Sequence, residues 1–180
     1  GMTAVSLALA TGACGAPIAP APSLRSSAPG RDLIRRENAK PGTRDWMLTK
    51  TDITKNEPVE LWRSPRIEGY CSVTSVSAGD TIKIMVSTNP VSEFSLEIFR
   101  TGYYGGDGGR FMKRFDSLNG KTQPTPPVGE RRLRECKWEP SVEFEIPKDW
   151  LSGVYLGKLT AKKGGVQSYV IFIVHDDRPC

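Results

Sequence analysis

Between Ile67 and His175 the sequence is a series of short segments in which apolar and polar residues alternate, each closed by Gly, Pro, Asn or Asp. A period of two places successive side chains on opposite faces of an extended strand, so the pattern demands sheets with at least one buried face. In Thr81–Thr88, Ile82, Ile84 and Val86 fall on one face and Lys83 and Met85 on the other. In Phe94–Thr101, Phe94, Leu96 and Ile98 oppose Glu97 and Phe99; in 142–146, Val142, Phe144 and Ile146 oppose Glu143 and Glu145. Further strands are predicted over 67–73, 110–115, Gly153–Ala161 and Gln167–His175. About seven short strands with almost no helical signal predict an all-β, immunoglobulin-like antiparallel β-sandwich, here over residues 66–179. Tyr155 follows Gly153 at the start of the penultimate strand and is either a tyrosine corner or a plain core tyrosine.

The residues ahead of that domain read differently. Residues 1–66 hold ten Lys and Arg against six Asp and Glu, a balance of +4; residues 67–180 hold fifteen against fourteen, a balance of +1. The predicted folded part is thus nearly neutral, which argues against a nucleic-acid partner. Arg131-Arg132-Leu133-Arg134 is its one dense basic cluster and reads as a solvated loop or strand edge, with a phosphate site as the alternative. Residues 3–13 are small and apolar, too short to span a membrane as a helix but similar in texture to a signal-peptide core, although the basic segment that should precede it is missing. Thr11-Gly12-Ala13-Cys14 resembles a lipoprotein processing site, which makes Cys14 a candidate for lipidation; an ordinary cut within 16–21 is the alternative. Export is therefore expected, periplasmic or extracellular, with membrane contact only through such an anchor. Residues 1–30 end in an Ala/Pro/Ser linker, and 31–65 form an extended polar segment with a short helix over 31–38 and Trp46, Met47, Leu48 and Trp62 as tethers to the domain.

Few residues suggest chemistry. The single histidine, His175, follows the apolar run 170–174 and reads as the polar exit of a strand; one histidine argues against a His-based metal site or a Ser-His-Asp mechanism. Among Cys14, Cys71, Cys136 and Cys180 there is no CxxC pair, and Cys71 and Cys136 are either a disulfide of an exported protein or two buried thiols. Glu143 and Glu145 share a strand face and read as a solvent face. Trp138 and Trp150 either close the ends of the sandwich or form a sugar platform. The most unusual stretch is 102–110, GYYGGDGGR. Tyr103, Tyr104, Gly105, Gly106, Asp107 and Arg110 could form a recognition or domain-docking loop, or a hairpin whose glycines meet positive-φ demands while the tyrosines pack on a neighbouring surface.

Three stretches together resemble one family. They are 67–71 with 75–82; 96–100 leading into Gly102-Tyr103-Tyr104-Gly105-Gly106; and Cys136-Lys137-Trp138-Glu139 followed by 144–147, 152–155 and the strand ending at Val174. In order and spacing these are similar to the amino-terminal module of the N,N-dimethylformamidase large-subunit family, over roughly residues 66–179. The resemblance implies an amidohydrolase that cleaves dimethylformamide with a mononuclear iron held by two tyrosines and a glutamate. Those ligands belong to a larger domain downstream of the module, so no residue of this chain takes a catalytic or metal role, and Tyr103 and Tyr104 are not ligands by position. The implied partner is the catalytic domain of the same polypeptide. The alternative is a free-standing exported binding module, for instance for carbohydrate.

Overall fold

The computed structural model describes residues 29–56 and 61–176. Cys14 and Cys180 lie outside the described residues, as does the signal-like segment. The chain runs α1 (Pro29–Asn38), β1 (Thr54–Asn56), β2 (Leu61–Arg63), β3 (Ile67–Cys71), β4 (Ser75–Ser77), β5 (Thr81–Thr88), β6 (Phe94–Thr101), β7 (Gly109–Leu118), β8 (Val142–Glu145), β9 (Gly153–Ala161) and β10 (Gln167–His175). Strands β4-β10-β9-β6-β7 form one sheet and β3-β5-β8 the other, while β1 and β2 pair as a separate ribbon. The two sheets face each other as an immunoglobulin-like sandwich, so the described residues are all-β with one short α-helix. One pair departs from the antiparallel rule: β4 runs parallel to β10 at the sheet edge, matching Ser75 with Ile173 and Ser77 with His175.

The alternating residues build the core as expected. Ile82 and Ile84 of β5, Leu96 and Ile98 of β6, Tyr155 and Leu159 of β9, and Phe172 of β10 are all fully buried in one cluster. Gly157 faces inward where a Cβ would approach Val170 Cγ2 to 2.6 Å, so β9 and β10 can close only on a glycine there. Two outward apolar positions among the described residues are nevertheless buried. Met85 on β5 is buried, and the segment after β7 lies along the end of that strand: the Thr88 N–H donates to the Lys121 carbonyl at 2.9 Å, and the Gln123 N–H donates to Ser87 Oγ at 3.0 Å. Phe99 on β6 is covered by the chain ahead of the sandwich, described below.

Tyr155 is a tyrosine corner and a core residue at once. Its ring stacks on Trp150 at 4.8 Å, and its hydroxyl donates to the Leu151 carbonyl at 2.7 Å, four residues upstream. The bond fixes the turn that feeds β9. Replacing Tyr155 by Phe keeps the ring and removes only this bond, and should lower stability by about 1–2 kcal/mol. The readout is a lower urea midpoint with an unchanged slope.

Candidate docking site

Where β6 turns into β7, polar groups from distant parts of the chain converge. Arg100, the penultimate residue of β6, points inward and is only 4% exposed. Its Nη2 donates to the Ser152 carbonyl at 2.8 Å and its Nη1 to Tyr104 Oη at 2.9 Å, while among the described residues Nε has no partner. Tyr104 is buried with φ of 39°, a left-handed backbone that a bulky residue adopts only when its surroundings hold it there. What holds it is Glu37, at the C-terminal end of α1. The Tyr104 hydroxyl donates to Glu37 Oε1 at 3.0 Å; Arg110 Nε and Nη2 each lie 2.7 Å from the same oxygen; Lys40 Nζ lies 2.7 Å from Oε2. Burial alone would raise the carboxyl pKa, but the bonds from Lys40, Arg110 and Tyr104 outweigh it and hold Glu37 below its ordinary 4.5. Burial would likewise lower the pKa of Arg110, and Glu37 outweighs that and raises it.

The chain between α1 and β1 then crosses the outer face of the five-stranded sheet as a strap. The Thr43 N–H donates to the Gly109 carbonyl at 2.8 Å, Trp46 Nε1 to the Asp107 carbonyl at 2.9 Å, and the Gln167 N–H to the Lys50 carbonyl at 2.8 Å. Lys158 Nζ donates to the Asp45 carbonyl and the Tyr169 hydroxyl to the Trp46 carbonyl. Close approach explains two of the glycines in 102–110. A Cβ at Gly102 would lie 2.6 Å from Asn38 Oδ1, and one at Gly109 would lie 2.6 Å from Trp46 Cδ1. The Gly-rich turn is therefore shaped to receive the chain's own strap. Of the residues singled out from the sequence, Tyr104 and Arg110 belong to this internal cluster. Asp107 faces Arg44 at 3.5 Å and gives its carbonyl to Trp46. Tyr103 is 70% exposed, and Gly105 and Gly106 form an open turn beside it. Residues 37–50, read from sequence as part of an extended segment outside the domain, are packed onto it, and Trp46 tethers them as expected. Glu37 was not singled out from the sequence. It stands in an ordinary charged helix, and nothing local marks it.

A second feature lies on the same sheet, beyond the strap. The outward residues of β9 and β10 are apolar: Val154 pairs with Ile173 and Leu156 with Ile171. Ile171 is 58% exposed, Ile173 44% and Val154 40%. The patch continues toward the Tyr103 turn, because Thr101 Oγ1 donates to the Val154 carbonyl at 3.1 Å.

Residues 95–179 match the family described as N,N-dimethylformamidase beta subunit-like, C-terminal. Over these residues the chain is similar to that family. The match runs from β6 to the end of β10 and includes the Tyr103 turn and the apolar face, whereas Glu37 and the strap precede it. The family agrees with the resemblance read from the sequence. Its description refers to a C-terminal region, where the sequence suggested an amino-terminal module, and the match does not set the module's place within the subunit. No curated protein matches the chain.

In this chain the cluster does not fit an iron. Glu37 and Tyr104 do meet, but Lys40, Arg110 and Arg100 occupy their oxygens, and the fixed guanidinium groups would repel a metal cation. Tyr103, the second tyrosine, faces solvent. Among the described residues no three His, Cys, Asp or Glu side chains converge. His175 lies between Ser75 Oγ, 2.7 Å from Nδ1, and Ser77 Oγ, 3.0 Å from Nε2, across the parallel β4–β10 pair, as a polar strand exit would. Glu143 pairs with Lys83 at 3.5 Å on an exposed face. Trp150 is buried against Tyr155, and Trp138 packs on Tyr70 at 5.4 Å with its Nε1 donating to the Pro124 carbonyl, so the two rings form no shared platform. Cys71 and Cys136 are free rather than bridged. Cys71 packs against the core, and burial pushes its thiol up to about 12. Cys136 is exposed, because Tyr70, on the opposite side of β3 from Cys71, holds the Cys136 carbonyl.

Replacing Glu37 by Gln leaves Arg110 and the relay to Arg100 without their anion and should destabilise the fold by about 3 kcal/mol. The folded carboxyl titrates below 4.5, so its contribution is complete above that pH and is lost as the pH falls through the folded value. Melting temperatures of the parent should therefore fall more steeply on acidification than those of Glu37→Gln. Parallel pH profiles would remove Glu37 from this role.

Proposed function

We propose that this chain is a non-catalytic accessory module of an N,N-dimethylformamidase-like, iron-dependent amidohydrolase, and that it docks on the catalytic domain through the bare half of its five-stranded sheet. The observation that supports this reading is the outward row on β9 and β10. The run 170–174, Val-Ile-Phe-Ile-Val, has the composition of a strand buried on both faces, yet Ile171 and Ile173 face outward uncovered. Contiguous exposed apolar residues of this kind mark interaction surfaces. Tyr103 stands at the rim, where an aromatic residue with a polar tip suits a contact that is part dry and part wet. The similarity to the family over residues 95–179 supports the class of partner. In this reading the iron and the hydrolytic step belong to the partner domain, and the sandwich supplies apolar area and a rigid edge. Export, with Cys14 as a lipid anchor, remains part of the same proposal.

The test supplies the catalytic domain of a family enzyme as a separate chain. The parent should bind it in size-exclusion chromatography, and the double variant Ile171→Asp, Ile173→Asp should not, while its urea midpoint stays close to the parent's because both positions are already exposed. Binding by the double variant equal to the parent's would overturn the docking surface. Hydrolysis of dimethylformamide by this chain alone with added ferrous iron would overturn the accessory role.

A further inference from the structure

The longest connection in the sandwich, between β7 and β8, is not a slack loop. Gln123 is buried at its base and donates from Nε2 to the Glu139 carbonyl at 2.8 Å. Trp138 Nε1 donates to the Pro124 carbonyl at 2.8 Å, and the Tyr70 hydroxyl joins the Cys136 carbonyl and the Trp138 N–H. Further out, Arg134 Nη1 donates to the Pro126 carbonyl at 2.9 Å, and the Gly129 N–H donates to the Leu133 carbonyl at 2.8 Å, closing a 3₁₀ turn over Glu130–Arg132. Pro124, Pro126 and Pro127 stiffen the outgoing arm. The result is a braced projection with a defined tip.

The tip is unusual in two ways. Arg131 and Arg132 stand consecutively in the left-handed backbone region, at φ of 55° and 61°, where glycine or asparagine would be less strained. Strained residues of this kind point to a role for the side chains that the strain keeps in place. The turn also displays two large apolar side chains, Leu133 at 69% exposure and Val128 at 56%, between those arginines and the proline arm. Glu135 is paired with Lys137. From Glu130 to Lys137 there are four basic residues and two acidic ones.

We propose that this tip is a membrane-surface element that binds anionic lipid headgroups, with Leu133 and Val128 entering the interface and Arg131 and Arg132 engaging the phosphates. Apolar side chains ringed by arginine match a surface that is apolar below and negatively charged above. A single-stranded nucleic acid fits the tip less well. It needs aromatic faces for stacking, and the nearby ring, Trp138, is committed to Pro124 and Tyr70. The inference does not depend on the β9–β10 docking face, which uses other residues.

Co-sedimentation of the full chain with phosphatidylcholine vesicles, with and without phosphatidylglycerol, tests it. The parent should sediment only with the anionic vesicles and be released by added salt. The double variant Arg131→Gln, Arg132→Gln should bind more weakly, by about fivefold for each arginine removed. Leu133→Asp should also weaken binding while leaving the melting temperature near that of the parent. No sedimentation with anionic vesicles would overturn the proposal. So would binding that the loop variants leave unchanged, which would assign it to another segment. Retention of an oligonucleotide, lost in the arginine variant, without vesicle binding would assign the tip to nucleic acid instead.

Discussion

A single buried carboxylate joins two parts of the chain that are far apart in sequence. Glu37 is surrounded by Lys40, Arg110 and the Tyr104 hydroxyl, and through that hydroxyl it faces the buried guanidinium of Arg100. Among the described residues no carboxylate pairs directly with Arg100. Its anion is one hydrogen bond away, relayed by a tyrosine that accepts from one side and donates to the other. Such a set tolerates burial only when every member is present, because removing one partner leaves a desolvated charge on another. The sandwich and the strap therefore form one unit, and a boundary at residue 66 would cut through its electrostatic centre.

The strap also decides which part of the sheet surface remains bare. The outward row Phe111–Phe99–Leu156–Ile171 runs across β7, β6, β9 and β10. At Phe99 the row is fully buried: Phe111 meets it edge-on at 5.8 Å and Lys158, anchored to the Asp45 carbonyl, lies over the ring. Toward Ile171 and Ile173 the row is open. The chain thus covers one half of an apolar face with its own segment and leaves the other half uncovered, next to the Tyr103 turn and within the stretch that matches the N,N-dimethylformamidase beta subunit-like family. An internal strap and an external partner would then use the same sheet side by side.

Much of the fold was legible in the alternation. Ile82, Ile84, Leu96, Ile98, Val142 and Phe144 all face the core as the period of two requires. Tyr155 was legible as one of two alternatives, and both describe it. Met85 and Phe99 were not legible as buried residues. Each lies on the outward side of its strand, and segments distant in sequence pack on those strands: the one around Lys121–Gln123 along the end of β5 and the strap across β6. The 102–110 stretch was legible as unusual but not as to its purpose. Its glycines serve close contacts with Asn38 and Trp46, more than sixty residues away in the chain. The free state of Cys71 and Cys136 was likewise beyond local reading, because it depends on which side of β3 each residue meets.

The sequence by itself determined the main strands, their inward faces and the resemblance to a family, since periodicity, turn chemistry and motif order are properties of neighbours along the chain. Only the tertiary structure decided that Tyr104 and Arg110 look inward, that Glu37 completes them, and that Ile171 and Ile173 are left exposed. Burial and charge pairing depend on which distant segment arrives at a surface. A local pattern states what a residue could bury, and the arrival of a partner segment decides whether it does.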